Sequence, residues 1–319
     1  VSYVINDLQD SQVSEETRQR VLKAVSELGY QPDAMAQSLR LGTSQTIGLL
    51  IPDIDNPHYW HIAKGVEIEA QRNDYDLLLI SAGLDPAREL HSIRALSRRR
   101  IDGLILLLTF IQHDHEHILN LIRHKKPLVL VDDRTRTVDT VRLDERRGAT
   151  AVMEHLLALG HRRIGFIYGV ATQGIGGLRL AVYRDRMAAA GQPVDDRLIV
   201  SCGTTPEDGY QAAVQLLSQP ERPTALVVIN DLLAMGALRA AADLGLRVPQ
   251  DVSVASFDDI DLAVYTIPRL TTVGINASAM GQAAAQMIFR RLQNPTQPVQ
   301  ETEFAGQLIV RDSTAPPPV

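Results

Sequence analysis

The sequence predicts an α/β protein built as two doubly wound parallel-sheet lobes, with a smaller helical segment ahead of them. Three observations carry this. From Thr46 onward, short runs rich in Val, Ile and Leu alternate with helical patterns. Most of these runs lack polar alternation, as strands covered on both faces do. Each pair is separated by enough chain for a crossover helix. A length of 319 residues suits two such lobes and an appendage better than one compact domain.

The first set of runs is TIGLLI (46–51), DLLLIS (76–81), GLILLL (103–108) and PLVLVD (127–132). A helix, ERRGATAVMEHLLALGH (145–161), leads to the second set: RIGFIYG (163–169), LIVSC (198–202), ALVVIN (225–230) and VSVASFD (252–258). Then come LTTVGIN (270–276), a helix from Ser278 to about Leu292, a Pro-bounded link and one final strand, ETEFAGQLIV (301–310). A strand-helix unit trailing a second lobe is most simply a return to the first. The expected boundaries are 44–160 with 270–297 for the first lobe and 161–269 with 298–319 for the second. Several crossovers and a cleft between lobes follow, with ligands beyond the carboxyl ends of the strands.

Residues 1–43 differ in character. VSEETRQRVLKAVSELGY (13–30) offers Ser14 as an N-cap, Glu15 and Glu16 in the first turn, an apolar stripe of Val21, Leu22, Val25 and Leu28, and Gly29 as a stop. The run DAMAQSLRLG (33–42) suits a two-turn helix too short to be stable alone.

Composition bounds the function. With five Phe, eight Tyr and one Trp, the core must come mainly from Ala, Val, Ile and Leu. The lone Cys202 excludes an intramolecular disulfide and argues against a cysteine metal site, which fits a reducing compartment, the cytoplasm. No charged-then-apolar leader opens the chain and no apolar stretch approaches the ~20 residues that span a bilayer, so no membrane partner is expected. A net charge of −6 means that any contact with nucleic acid is local.

Catalytic and metal signals are weak. His113, His115 and His117 alternate with acids, but in a solvated loop leading into a helix, so no metal is expected. The glycines of QGIGGLR (173–179) do not have dinucleotide-binding spacing, and there is no nucleophile elbow. The reading is therefore not an enzyme, with no cofactor. Asp231 reads as an N-cap and Asp259 as solvated.

The segments VSYVIND (1–7), VSEETRQRV (13–21), LGYQPDAMAQSLR (28–40), TIGLLIPDIDNPHYWHIAKGVE (46–67), ALGHRRIGFI (158–167), NDLLAMGALRAAADLGLRVPQDVSV (230–254) and FDDIDLA (257–263) follow one another as blocks of the lactose-repressor family do. The chain resembles that family over essentially its whole length. The resemblance implies a periplasmic-binding-protein-like pair of lobes behind a partial helix-turn-helix headpiece and a hinge helix. It implies a ligand-responsive DNA-binding transcription regulator, a repressor and homodimer, whose partners are operator DNA and a small effector. Ser2, Tyr3 and Asn6 would end the recognition helix. Ala36, Gln37 and Leu39 would lie on the short hinge helix, with Leu39 as a minor-groove wedge. Gln37 departs from the Arg common in relatives.

The same resemblance places Asp258, Arg179, Asn230, His58, Tyr59 and Asp132 around the effector. Gln173 stands where a relative carries Arg, and Thr204 where several relatives place a stacking aromatic. A carboxylate, a fork donor and an amide converging on one cleft suit a hydroxyl-rich ligand, so the effector is expected to be a sugar or polyol rather than a nucleobase. The blander alternative is that Arg179 and Asp258 pair with each other. The competing function is a solute-binding protein of a transport system, which shares the lobes and cleft.

Overall fold

A computed structural model describes residue 4 and residues 13–29, 42–110, 126–131, 137–170 and 174–318. The chain divides into two units, Val1–Gln45 and Thr46–Val319. In the first, α1 (Glu15–Glu27) starts where expected. The Ser14 hydroxyl accepts the Thr17 N–H at 3.3 Å, and Gly29 ends the helix at φ +56°, a conformation costly for residues with a Cβ.

The second unit begins with β1 (Thr46–Ile51), α2 (Pro57–Arg72), β2 (Asp76–Ser81), α3 (Pro86–Arg98), β3 (Gly103–Leu107), β4 (Leu128–Val131) and β5 (Asp139–Asp144). It continues through α4 (Glu145–Ala158), β6 (Ile164–Tyr168), α5 (Gly174–Ala189), β7 (Ile199–Ser201), α6 (Pro206–Leu217), β8 (Ala225–Val228), α7 (Asp231–Asp243) and β9 (Ser253–Asp258). The last elements are β10 (Thr271–Gly274), α8 (Ala277–Gln293), β11 (Glu301–Ala305) and β12 (Gln307–Ile309). Among the described residues two six-stranded sheets result, in the orders β11-β5-β4-β3-β1-β2 and β12-β10-β9-β8-β6-β7. Every pairing is parallel except β10 with β12.

Strand side chains alternate between faces, and here both faces are covered. Ile47, Leu49 and Ile51 pack with Val66, Met280, Ala284 and Ile288, while Leu50 points the other way onto Ile93, Leu96 and Leu104. That is why the runs show no polar alternation. The second core gathers Phe166, Leu226, Val227 and Phe257 with the α4 residues Val152, Met153 and Leu156.

Glycines let helices touch in each lobe. A Cβ on Gly65 or Gly281 would collide with the backbone carbonyl of Ser278 or Ile62, where α2 meets α8. Gly209 and Gly236 do the same for α6 and α7 against Leu233 and Pro206.

The lobe boundaries differ from those read in the sequence. The core of α4 belongs to the second lobe, so the first crossing falls at Asp144–Glu145 rather than after residue 160. Strand β10, expected in the first lobe, lies beside β9 in the second sheet. The final strand is two strands: β11 joins β5 in the first sheet, and β12 joins β10 in the second. The cause is local. Arg291 is hydrogen-bonded to the buried Asp139 carboxylate at 2.6 and 3.0 Å, and the Gln300 N–H reaches the same group at 2.8 Å. This folds the Pro-bounded link back onto β5 before the chain crosses. The chain therefore passes between lobes three times: before α4, between β10 and α8, and between β11 and β12.

Candidate ligand-binding cleft

At the carboxyl ends of both sets of strands lies a cavity of about 180 Å³. A single ordered water needs only about 10–15 Å³, so this is room for a small molecule. Its walls come from both lobes, the location expected for ligands in open parallel sheets.

From the first lobe, the chain leaves β1 through Pro52 and reaches Asn56, the N-cap of α2. The Asn56 Oδ1 accepts the His58 N–H at 3.0 Å, and Pro57 fills the first helical position. Fixing the oxygen on the helix fixes the amide nitrogen as the outward donor. That Nδ2 donates to Asp258 Oδ2 in the second lobe at 3.2 Å. Asp258 ends β9 at φ 105°, backbone that an L-residue rarely adopts. Burial pushes its pKa up to about 6, against the pull of Arg179 and the Asn56 bond.

His58 and Tyr59 line the cavity as expected, with ring centroids 5.4 Å apart in an edge-on contact. Burial, then the Arg179 charge, lowers the His58 pKa to about 4, so the ring is neutral. Its Nδ1 is shielded from solvent and has no hydrogen-bond partner among the described residues. Burial and the Asp258 charge hold the Tyr59 hydroxyl protonated well above its ordinary range. A second link between lobes joins His61 to Asp261 at 3.5 Å.

Arg179 and Asp258 do not pair with each other. Arg179, on α5, makes a two-pronged bond to Glu145, from Nε at 2.8 Å and Nη2 at 3.0 Å. Its Nη1 donates to the Ile229 carbonyl at 2.6 Å, and the guanidinium carbon lies 4.0 Å from the Phe257 ring centroid. Burial opposes the charge, but the Glu145 and Asp258 carboxylates more than offset this and raise its pKa. Glu145 heads α4 immediately after the first crossover, so the pair ties that crossing to the second lobe.

Asn230, not Asp231, caps α7: its Oδ1 accepts the Leu233 N–H at 2.9 Å, leaving the amide nitrogen at the cavity wall. Asp231 turns inward instead. It accepts from the hydroxyls of Ser256 and Thr272 and from the Ile260 N–H, and thus fastens β9, β10 and the turn after Asp258. Burial, reinforced by Asp258, pushes its pKa up to about 7. Asp259, expected to be solvated, pairs with Arg311 at 2.6 Å.

Six of the predicted effector-site residues thus line one cavity: His58, Tyr59, Arg179, Thr204, Asn230 and Asp258. Asp132, Gln173 and the DNA-contact candidates Ser2, Tyr3, Asn6, Ala36, Gln37 and Leu39 lie outside the described residues, as do His113, His115 and His117. Asn56, Glu145 and Asp53 line the cavity and were not foreseen. The Asn-Pro pair at 56–57 is a readable N-cap signal; nothing in ERRG marks Glu145 as more than a first-turn acid.

Two α/β lobes joined by three crossings, with a cleft lined by both polar and apolar side chains at their strand ends, define a two-lobed ligand-binding protein. Residues 153–314 match the model of the periplasmic binding protein-like domain, and residues 1–33 that of the bacterial regulatory proteins of the lacI family. The HTH-type transcriptional repressor PurR of Klebsiella pneumoniae (strain 342) is 35% identical over 100% of this chain and 93% of its own. The ribose operon repressor of Haemophilus influenzae is 32% identical over 98% of this chain and 93% of its own. The lac repressor dimer bound to operator and the anti-inducer ONPF superposes with a TM-score of 0.83 at 26% identity, covering 98% of this chain and 94% of the other. The chain belongs to the lactose-repressor family of bacterial regulatory proteins. It is a ligand-responsive, DNA-binding transcriptional regulator.

Proposed function

We propose that this chain is a cytoplasmic, dimeric repressor whose effector is a small sugar or polyol held between the lobes. The observation that supports this best is the convergence on one cavity of Asn56 and His58 from the first lobe with Asp258 and Asn230 from the second. Oriented amide donors, a carboxylate acceptor and an unpartnered imidazole nitrogen match a molecule that both donates and accepts hydrogen bonds. An effector that prefers one lobe arrangement, with operator preferring another, couples the two by linkage.

Large apolar side chains left exposed on the second lobe support dimerisation: Leu262, Tyr265 and Ile267 are 50%, 79% and 96% exposed. No helix among the described residues is long and apolar enough to cross a membrane. The named relatives are repressors, and the reading assigns the cleft binding without turnover. The test is a thermal-shift screen against sugars, polyols, sugar phosphates and purines, since a specific ligand stabilises by RT ln(1 + [L]/Kd). A shift with purines alone would overturn the polyol assignment.

A further inference from the structure

The charges that line the cleft do not balance. Among the described residues its wall carries Asp53, Asp144, Glu145 and Asp258 against a single cation, Arg179. That guanidinium is already engaged, since Glu145 takes two of its hydrogen bonds and the Ile229 carbonyl a third. The Asp144 carboxylate caps α4 by accepting the Arg147 N–H at 3.0 Å. Arg146 and Arg147 are exposed and do not line the cavity.

Two carboxylates are left without a cation among the described residues. Asp258 accepts one hydrogen bond, from Asn56 Nδ2, and its Oδ1 accepts none there. Asp53, half-buried where the chain leaves β1, accepts the Asp55 N–H at 3.0 Å. Both charges act on the Tyr59 hydroxyl, which brings them to the same part of the cleft. His58 adds no positive charge, because burial and Arg179 keep its ring neutral. Its buried, unpartnered Nδ1 on the same wall is a second mark of a missing ligand, an acceptor in the tautomer protonated at Nε2.

Buried charges in proteins are paired. A ligand hydroxyl donates one hydrogen bond to Asp258 and leaves its charge uncompensated, whereas an ammonium donates up to three and compensates it. A phosphate or carboxylate would meet two uncompensated carboxylates and a guanidinium that Glu145 holds.

We propose that the effector is a cation: a hydroxyl-bearing ring or chain with a primary amine, whose ammonium binds Asp258 with Asp53 beside it while Asn230 holds a hydroxyl. This rests on the polyol reading and specifies it.

The test is isothermal titration of the whole chain at about pH 7, where a primary amine is mostly protonated. The probes are glucosamine, galactosamine and mannosamine, each beside its N-acetyl derivative and its parent hexose. Acetylation keeps the ring and removes the charge. For at least one sugar the amine binds about tenfold or more tightly than both neutral forms, as a charge-assisted bond in place of a neutral one implies. Asp258→Asn keeps the shape and the acceptor for Asn56, and shrinks that advantage to about threefold or less. Asp53→Asn, at a half-buried position, shrinks it by about threefold and serves if the first variant does not fold, which circular dichroism checks. A hexose or N-acetyl sugar that binds as tightly as its amine overturns this inference and leaves the polyol reading standing; so does an advantage that survives both substitutions. No binding by any of these sugars overturns both.

Discussion

The Asn56 Nδ2 and Asp258 Oδ2, 202 positions apart in the chain, meet at 3.2 Å and join the two lobes through a side chain that also caps a helix. Asn56→Asp separates these roles. Aspartate caps as well as asparagine, so folding stability should change by less than about 1 kcal/mol. It cannot donate to Asp258, and two carboxylates then oppose each other across the cleft. We expect a larger radius of gyration by small-angle scattering at about pH 8, and effector affinity lower by at least about tenfold. An unchanged radius and affinity would show that this bond does not hold the lobes.

The buried titratable groups act on stability in opposite directions. Asp258 and Asp231 have pKa values raised from 3.8 to about 6 and about 7, so the folded state binds their protons more tightly than the unfolded state. Their stabilising contribution is complete below the unfolded value and is lost as pH rises through the folded values. His58, lowered from 6.5 to about 4, does the reverse: its contribution is present above the unfolded value and is lost as pH falls toward about 4. Asp258→Asn should therefore make stability fall less steeply between about pH 4 and about pH 6, and His58→Asn should make it fall more steeply there. Urea midpoints at several pH values read both slopes, and parallel curves for the three proteins contradict the assignment.

Removing one partner of the Glu145–Arg179 pair leaves the other charge buried. Glu145→Gln should cost roughly 3–5 kcal/mol in urea unfolding, and Glu145→Met with Arg179→Met should recover most of that loss. A single variant that loses under about 1 kcal/mol would mean that the cleft solvates Arg179 well enough without its partner.

Gly281→Ala and Gly236→Ala test the helix contacts. Alanine favours a helix by up to about 1 kcal/mol over glycine. At these positions the new methyl meets the backbone carbonyl of Ile62 or Pro206 rather than a movable side chain. We expect a net loss of roughly 2 kcal/mol or more in each, measured by thermal or urea unfolding. Neutral or stabilising results would mean that the helices can separate at little cost.

The parts of this fold legible in the sequence are those whose cause is local. The eight apolar runs all became strands; the central ones are buried on both faces, which demands unbroken Val, Ile and Leu, while the edge strands β2 and β7 are only partly buried. Strand β5 (DTVRLD) escaped notice because its second half is half-exposed and polar, and β11 alternates as a strand exposed on one face. Its membership of the first sheet depends on the Arg291–Asp139 contact, between residues 152 positions apart. In the cleft, Asp258, Asn230, His58 and Tyr59 were reached through family resemblance. Their partners were not, since choosing between Asn230 and Asp231 as the cap requires knowing which side chain the buried hydroxyls of Ser256 and Thr272 face.

The three crossings also set the order in which the chain can finish folding as it is made. Strand β5 pairs on one side with β11, so that edge stays bare until the ribosome has passed Ala305. At about 5–20 residues per second, that is on the order of ten seconds. The second sheet likewise lacks β12 until Ile309 has been added. Neither lobe can mature ahead of the other, and a nascent chain stalled in this interval presents an open parallel edge on which other chains can pair.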